Sequence, residues 1–403
     1  MNREERYSHL PEALGEALLR ARMLIGDDQL EYFYNLYDPR TGGFYYSISS
    51  RDAEGMTPFA EGTYFVISAL RTGGMELPEW YKEKVADWIA SHQDPLDGFF
   101  YEELWGKITA ENPGARLYRD LNYSKNILDI AGRAPLYALP TERIKSGEVS
   151  STLPDYLKSE ERMLEYLDSL DWSAKAIWST GQKLSTARSL IRAAGLEEPV
   201  RNYIASKQNQ KTGLWGDGLG WMNTNGAMKL SCYFCNTGMT FPNPELAIES
   251  VKELYSGDTP PSSATMIWNP FVLLSRIIGY AGEREGELRE LLLKEGADIV
   301  NRAIDCAMLL KRVDGGFAGG MTRGGHRQQG YLYGHGLKDE SDLDGTLIAG
   351  ERLYVSMHRV FGAAPSRDHY KAKEDSFFER LRTKPAVIKT LPRPDEEIYP
   401  TKK

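Results

Sequence analysis

Cysteine is scarce in this chain: Cys232, Cys235 and Cys306 are the three among 403 residues. An odd, sparse set does not build a disulfide framework. Cys232 and Cys235 have the two-residue gap of redox and zinc pairs. They lie in an apolar helical run with no second ligand pair nearby, so they read as buried structural thiols. No metal and no cofactor are expected. Long apolar runs are absent too: nothing approaches the roughly 18 apolar residues of a membrane-spanning helix. The opening MNREERYSHLPEALGEALLRAR is charged throughout and lacks the apolar core of a secretion signal, so the expected address is the cytoplasm. Blocks of one charge are missing. Lys and Arg number 49 against 57 Asp and Glu, for a net charge of -8, which argues against a nucleic-acid partner. Strand-period segments of useful length are missing as well, although GGFYYSIS is short enough to turn as a hairpin.

What the chain does have is repetition. Four segments share an amphipathic helix, a Gly–aromatic loop and a following helix: YFYNLYDPRTGGFYYS, WIASHQDPLDGFFYEE, YIASKQNQKTGLWGDG and AMLLKRVDGGFAGG. The loop aromatics are Phe44, Phe99, Trp215 and Phe317. The first interval is about 55 residues and the other two are about twice that. Degenerate copies are therefore expected near 157 and 266, between helical segments, giving six units in all.

Each unit holds two helices by periodicity. FAEGTYFVISALRTGG is apolar or small nearly all round and reads as a buried inner helix. ELPEWYKEKVADWIASHQ carries one stripe (Trp80, Val85, Trp88 and Ile89) among charges and reads as an outer helix. The expected inner helices run over about 57–72, 116–132, 172–194, 219–238, 263–282 and 341–361. Gly73-Gly74, Gly132, Gly195, Gly238 and Gly362 follow helical runs where a left-handed cap is wanted. Pro78, Pro199 and Pro242 suit outer-helix starts. The fold class is all-α, a six-hairpin (α/α)6 toroid with inner and outer helix rings, over residues 1–362. Residues 141–156 read as an insertion loop. The Pro- and charge-rich tail 363–403 reads as packed on the surface or loose.

Three of the loops carry a further signature: Gln93-x4-Gly98-Phe99, Gln208-x4-Gly213-Leu214-Trp215 and Asp314-Gly315-Gly316-Phe317. They resemble the QW repeats of the terpenoid cyclase and protein prenyltransferase superfamily of α/α toroids, in which a glutamine and an aromatic tie a helix end to the next loop. The resemblance spans roughly residues 30–362. It implies the toroid fold with a central cavity. It does not choose a reaction, because related toroids also occur in polysaccharide lyases and glycosidases. Glycine for the tight reversal and an aromatic to fill the wedge between hairpins make these motif residues structural.

The N-terminal ends of the expected inner helices are where polar residues gather. They include Glu61, Tyr64, Arg116, Arg119, Asp120 and Tyr123, then Trp178, Thr180 and Gln182, then Trp221, Asn223, Asn225 and Lys229. Trp268, Asn269, Asp342, Asp344 and Thr346 follow, and the loop RGGHRQQGYLYGHGLKDESD adds His326, Arg327, Tyr331, Tyr333 and His335. Indole and phenol faces beside amides, cations and carboxylates suit a sugar, with its apolar ring faces and many hydroxyls. Tyr outnumbers Phe 23 to 13, which leans the same way. The expected activity is cleavage of a glycosidic bond of an oligosaccharide. A hydrolase needs two carboxylates, one with a raised pKa, which Glu61 or Asp120 against Asp342 or Asp344 supplies. A uronate lyase needs a base, an acid and a group on the carboxylate, for which Tyr333 or His335 with Asn225, Arg119 or Lys229 fits. Any single helix-start acid or amide also reads simply as a cap.

The family resemblance implies a second activity. Class II terpenoid cyclases carry a DxDD motif followed by Thr at an inner-helix start. Asp342-Leu343-Asp344-Gly345-Thr346 is similar, with Asp344 matching the proton donor and Gly345 replacing the last Asp. Phe59-Ala60-Glu61-Gly62-Thr63 repeats the acid-Gly-Thr pattern, so the match also reads as a repeat feature with an acid favoured by the helix dipole. A third reading is a non-catalytic toroid whose aromatic cavity only holds a ligand.

Overall fold

The computed structural model describes residues 6–108, 114–147 and 153–394. The chain is mostly helical. Among the described residues no helix is long and apolar enough to cross a membrane. Two compact units share the chain. One takes the chain up to Leu24, Thr141–Leu309 and Arg352–Pro365; the other takes Ile25–Pro140, Leu310–Glu351 and the chain from Ser366 onward.

In the unit that holds residues 25–140, helix Ala60–Thr72 packs against helix Gly114–Ile130 on one side and helix Leu343–Leu347 on the other. Helix Glu79–Ser91 backs the Gly114–Ile130 helix. The last described helix, Glu374–Arg382, buries Phe377, Phe378 and Leu381 and packs on Asp27–Leu36. Beyond it the Lys384 ammonium donates to the carbonyls of Tyr34, Asn35 and Tyr37 at the end of that helix, and Leu391 makes a parallel bridge to Ala53. Residues of the expected tail from 395 on lie outside the described residues, as do 148–152 of the expected insertion loop.

In the other unit, helices Ile177–Ala193, Trp221–Leu230, Ala264–Gly279 and Leu353–Val360 pack side by side in that order. Contacts between the first two rise together along both chains: Gly181 meets Gly226, Leu184 accepts from Tyr233, and Arg188 reaches the Cys235 carbonyl. Asn225 meets Asn269, and Met228 and Ser231 meet Arg276. These three helices therefore run parallel. Helices Pro244–Ser256, Glu285–Leu293 and Gly296–Met308 form a second layer, and Glu12–Arg20 packs on the last of them.

The repeated loops have a common construction. The amide of Asp38 donates to Gly43 and Gly42 donates back to Asp38; Asp94 with Phe99 and Gly98, and Asn209 with Leu214 and Gly213, repeat the pair of bonds. Gly42, Gly98 and Gly213 each take a positive φ, which a side chain would strain. Gln93 donates to the Gly98 carbonyl at 3.2 Å and Gln208 to that of Gly213 at 2.7 Å, so both glutamines tie a helix end to its loop. Phe44, Phe99, Trp215 and Phe317 are all buried. The threonines of the acid-Gly-Thr pattern do the same work from the other side: Thr63 accepts the Phe44 amide at 3.0 Å and Thr346 that of Phe317 at 2.9 Å.

Several expectations need correcting. Residue 266 lies in the first turn of helix Ala264–Gly279, which Ser263 caps, rather than between helices; the expected inner helix over 263–282 starts there. GGFYYSIS contributes only an isolated bridge between Tyr37 and Phe44 before helix Ile48–Asp52 begins. Gly73 has a negative φ and Gly74 takes the left-handed one. The two short strands, Arg327–Gln328 and Tyr331–Leu332, lie in the glycine-rich loop instead, turning through Gln329 and Gly330 at positive φ. Cys235 and Cys306 are buried and Cys232 is half-buried; all three are free, and burial pushes each thiol up.

Candidate functional site

Buried charge is expensive unless it is paired, so the densest such cluster is the first place to look for chemistry. It lies in the unit holding residues 25–140. Arg116, in the first turn of Gly114–Ile130, is fully buried. Its guanidinium donates to Glu61 at 2.5 Å, to Asp120 at 2.8 Å and to Gln329 at 3.1 Å, and lies 5.0 Å from the Trp105 ring. Arg119 pairs with both oxygens of Glu61, its Nε at 3.1 Å from Oε2, and lies 5.4 Å from the Tyr123 ring. Trp105 donates its indole N–H to Asp120 at 3.1 Å. Glu61 and Asp120 are therefore committed to cations.

Behind this pair sits Glu102, also buried. Its Oε1 accepts the Ala60 amide at 2.7 Å, capping the helix that carries Glu61. Burial, then the Asp120 charge, pushes its carboxyl up, and burial pushes Asp120 up as well against the pull of Arg116. His92 lies 3.6 Å from the other Glu102 oxygen, and burial pulls that imidazole down.

The second half of the cluster is built on the start of Leu343–Leu347. Asp342 is its N-cap and accepts from the Gly345 amide at 2.6 Å and the Tyr46 hydroxyl at 3.0 Å. Its other oxygen accepts the amides of Gly319 and Gly325 at 2.7 and 2.6 Å. Four donors saturate this carboxylate, which gathers the glycine-rich loop onto the helix start. Burial still pushes it up to about 6, with Asp344 adding to the effect and the amides opposing it. Asp344, one residue into the helix, is half-buried.

Tyr333 completes the cluster. Its ring is 4.1 Å from Tyr46, edge to face, and stacks on Phe59 at 5.5 Å; Phe59 in turn meets Trp105 at 5.9 Å. Tyr46 spends its proton on Asp342, which leaves its oxygen as the group that the buried Tyr333 hydroxyl can donate to. Burial, then the negative charge of Asp344, holds this phenol well above its ordinary value. His335 bonds to the Pro392 carbonyl at 3.2 Å, and His326 is pulled down by burial and by Arg323 and Arg327.

Of the expected site residues, Glu61, Arg119, Asp120, Tyr123, Tyr333, Asp342 and Asp344 thus come together in one unit. His326 and His335 lie in the same unit, and the remainder lie in the other. There Asn225 accepts from Asn269 at 2.9 Å, while Trp178 and Gln182 share helix Ile177–Ala193. Asn223 donates to the Trp215 carbonyl at 2.7 Å and so grips a repeat loop. Trp221 donates to the Thr259 carbonyl, Trp268 donates to Ser356 under the Arg352 guanidinium, and the stem of Lys229 faces Gly181.

Sequence reasoning passed over Tyr46, Glu102, Trp105 and Gln329, and left Arg116 outside the roles it assigned. Tyr46 had a signal, since it follows a repeat aromatic at the same loop position that leads into the next helix. Glu102, Trp105 and Gln329 had none, because only the fold carries them to Ala60, Asp120 and Arg116. The DxDD departure acquires a reason: a Cβ on Gly345 would lie 2.4 Å from the Ala318 carbonyl carbon and 2.5 Å from the Gly319 nitrogen. No side chain fits there.

No protein-family profile matches this chain, and no curated protein matches it either.

Proposed function

We propose that this chain is a carbohydrate-active enzyme of the six-hairpin α/α toroid class, cleaving a glycosidic bond by acid–base catalysis. The toroid reading is supported by loops of common construction and by parallel inner helices. The observation that carries the activity is the buried Tyr333 hydroxyl beside Asp344, in a cluster where Glu61 and Asp120 are paired with arginines and Asp342 with backbone amides. A phenol held well above its ordinary value keeps its proton at neutral pH and gives it to a departing alkoxide. Tyr333 thus protonates the leaving oxygen as the C–O bond breaks. Asp344 takes the proton from the attacking water, or from the sugar carbon if the route is elimination.

Incubation with neutral and uronic oligosaccharides, following reducing ends and absorbance near 235 nm, tests this. New reducing ends alone mean hydrolysis, and both signals together mean elimination. Tyr333→Phe is expected to lower kcat by about a hundredfold or more, the scale of one general acid, with an unchanged circular dichroism spectrum. Full activity in that variant would remove the assignment. Silence from every glycan would remove the activity, and binding without cleavage would leave a ligand-holding toroid.

A second reading, a class II-like terpenoid cyclase, is favoured by the proton that Asp342 retains up to about pH 6 beside Asp344. The absence of room for a third acid at Gly345 weighs against it. Turnover of a linear isoprenoid that Asp344→Asn abolishes would select it.

A further inference from the structure

The charged cluster leaves a second set of polar groups unused. In the unit of parallel helices, Gln182, Asn225 and Asn269 are each 5% exposed or less. Asn269 gives its N–H to Asn225, while its own carbonyl and the Gln182 amide nitrogen have no partner among the described residues. An orphaned donor and an orphaned acceptor in one region ask for a ligand that offers both.

Helix geometry puts them on a common side. Gly181 and Gly226 touch across two parallel helices, so that a Cβ on Gly181 would lie 3.0 Å from the Gly226 carbonyl oxygen. Successive residues on parallel helices rotate in the same sense. The residue after one contact point and the residue before the other therefore turn to the same side of the pair, and these are Gln182 and Asn225. Asn269 joins them through its hydrogen bond.

Each of the first two helices also carries an indole one turn earlier on the same face, Trp178 four residues before Gln182 and Trp221 four before Asn225. Trp221 is buried against Tyr255, with its N–H on the Thr259 carbonyl. Trp178, however, is 37% exposed, a large apolar face left open one turn from an unpartnered amide. Trp-x3-amide on neighbouring helices pairs an apolar plate with neutral donors and acceptors, and the stem of Lys229, one turn beyond Asn225, packs against Gly181 between them. Sugar rings present the complement: an apolar face and flanking hydroxyls that both donate and accept.

We infer that Trp178, Gln182, Asn225 and Asn269 form a binding subsite for the neutral, hydroxyl-bearing rings of an oligosaccharide. This rests on the glycan reading above and adds that the bound part of the substrate is neutral.

The test is calorimetric titration of the full chain with maltotriose, cellotriose, triacetylchitotriose and trigalacturonate. A neutral trisaccharide is expected to bind. Gln182→Leu and Asn269→Leu are each expected to weaken it about tenfold, and Trp178→Ala at least as much, with unchanged circular dichroism. Trp178 is exposed, so its replacement keeps the test decisive if a buried variant fails to fold. Binding or cleavage that survives all three substitutions overturns the subsite and leaves the glycan reading standing. Binding of trigalacturonate alone also overturns it. Silence from all four probes, with no glycan cleaved, removes both.

Discussion

Arg116 shows how much rests on single residues. It has no exposed surface and holds two carboxylates, Glu61 and Asp120, that have been taken out of water. A buried pair stripped of one partner leaves an uncompensated charge, which destabilises by about 3–5 kcal/mol. Arg116→Met is therefore expected to lose about that much in urea-unfolding free energy. A loss under 1 kcal/mol would mean that the acids escape to water or to protons. Glu102 already leans to the second route: with Asp120 beside it and the Arg116 guanidinium bonded to Glu61 and Asp120, burial pushes its carboxyl up toward the protonated form. Neighbouring carboxyls in one site divide the charge according to who has the arginine.

At the scale of elements, two close approaches set the packing. The parallel helices Ile177–Ala193 and Trp221–Leu230 meet at Gly181 and Gly226, and a Cβ on Gly226 would lie 2.7 Å from the Ile177 side chain. Glycine inside a helix normally costs about 1 kcal/mol relative to alanine. Here the order should reverse. Gly226→Ala is expected to destabilise by about 1–3 kcal/mol, the usual scale of overpacking, in thermal or urea unfolding. A more stable variant would show that the helices separate at no cost. The Gly345 contact with the 317–319 turn works the same way. It lets Thr346 reach the Phe317 amide and Asp342 reach the loop, so the acid-Gly-Thr pattern is an element of construction as well as a place for acids.

At the scale of the whole molecule, residues 351 positions apart in sequence meet at His358. Its Nε2 takes the Tyr7 hydroxyl at 2.9 Å and its Nδ1 lies 2.8 Å from the Tyr354 carbonyl. Both bonds suit the neutral ring, and burial pulls the imidazole down to about 4. A group with a depressed folded value adds stability that is present above the ordinary value of about 6.5 and is lost as pH falls through 4. Over that window the loss amounts to about 3 kcal/mol. The stability difference between the chain and His358→Gln should shrink by that order between pH 7 and 4; a constant difference would contradict the neutral pairing.

Much of this was legible beforehand. Periodicity marked the buried helices because each needs an apolar surround. Glycine and aromatic spacing marked the loops because only glycine takes their backbone and only a ring fills their wedge. Such signals are local, and the chain alone determined them. Which side chains meet was decided by tertiary structure: Glu61 reaches Arg116, Tyr333 reaches Tyr46, and Gln329 is carried to Arg116 by a hairpin that periodicity did not reveal. The reason is physical. A helix start favours an acid whether it caps, pairs or reacts, so residue type alone leaves the role open. Burial and the distance to a distant partner assign it.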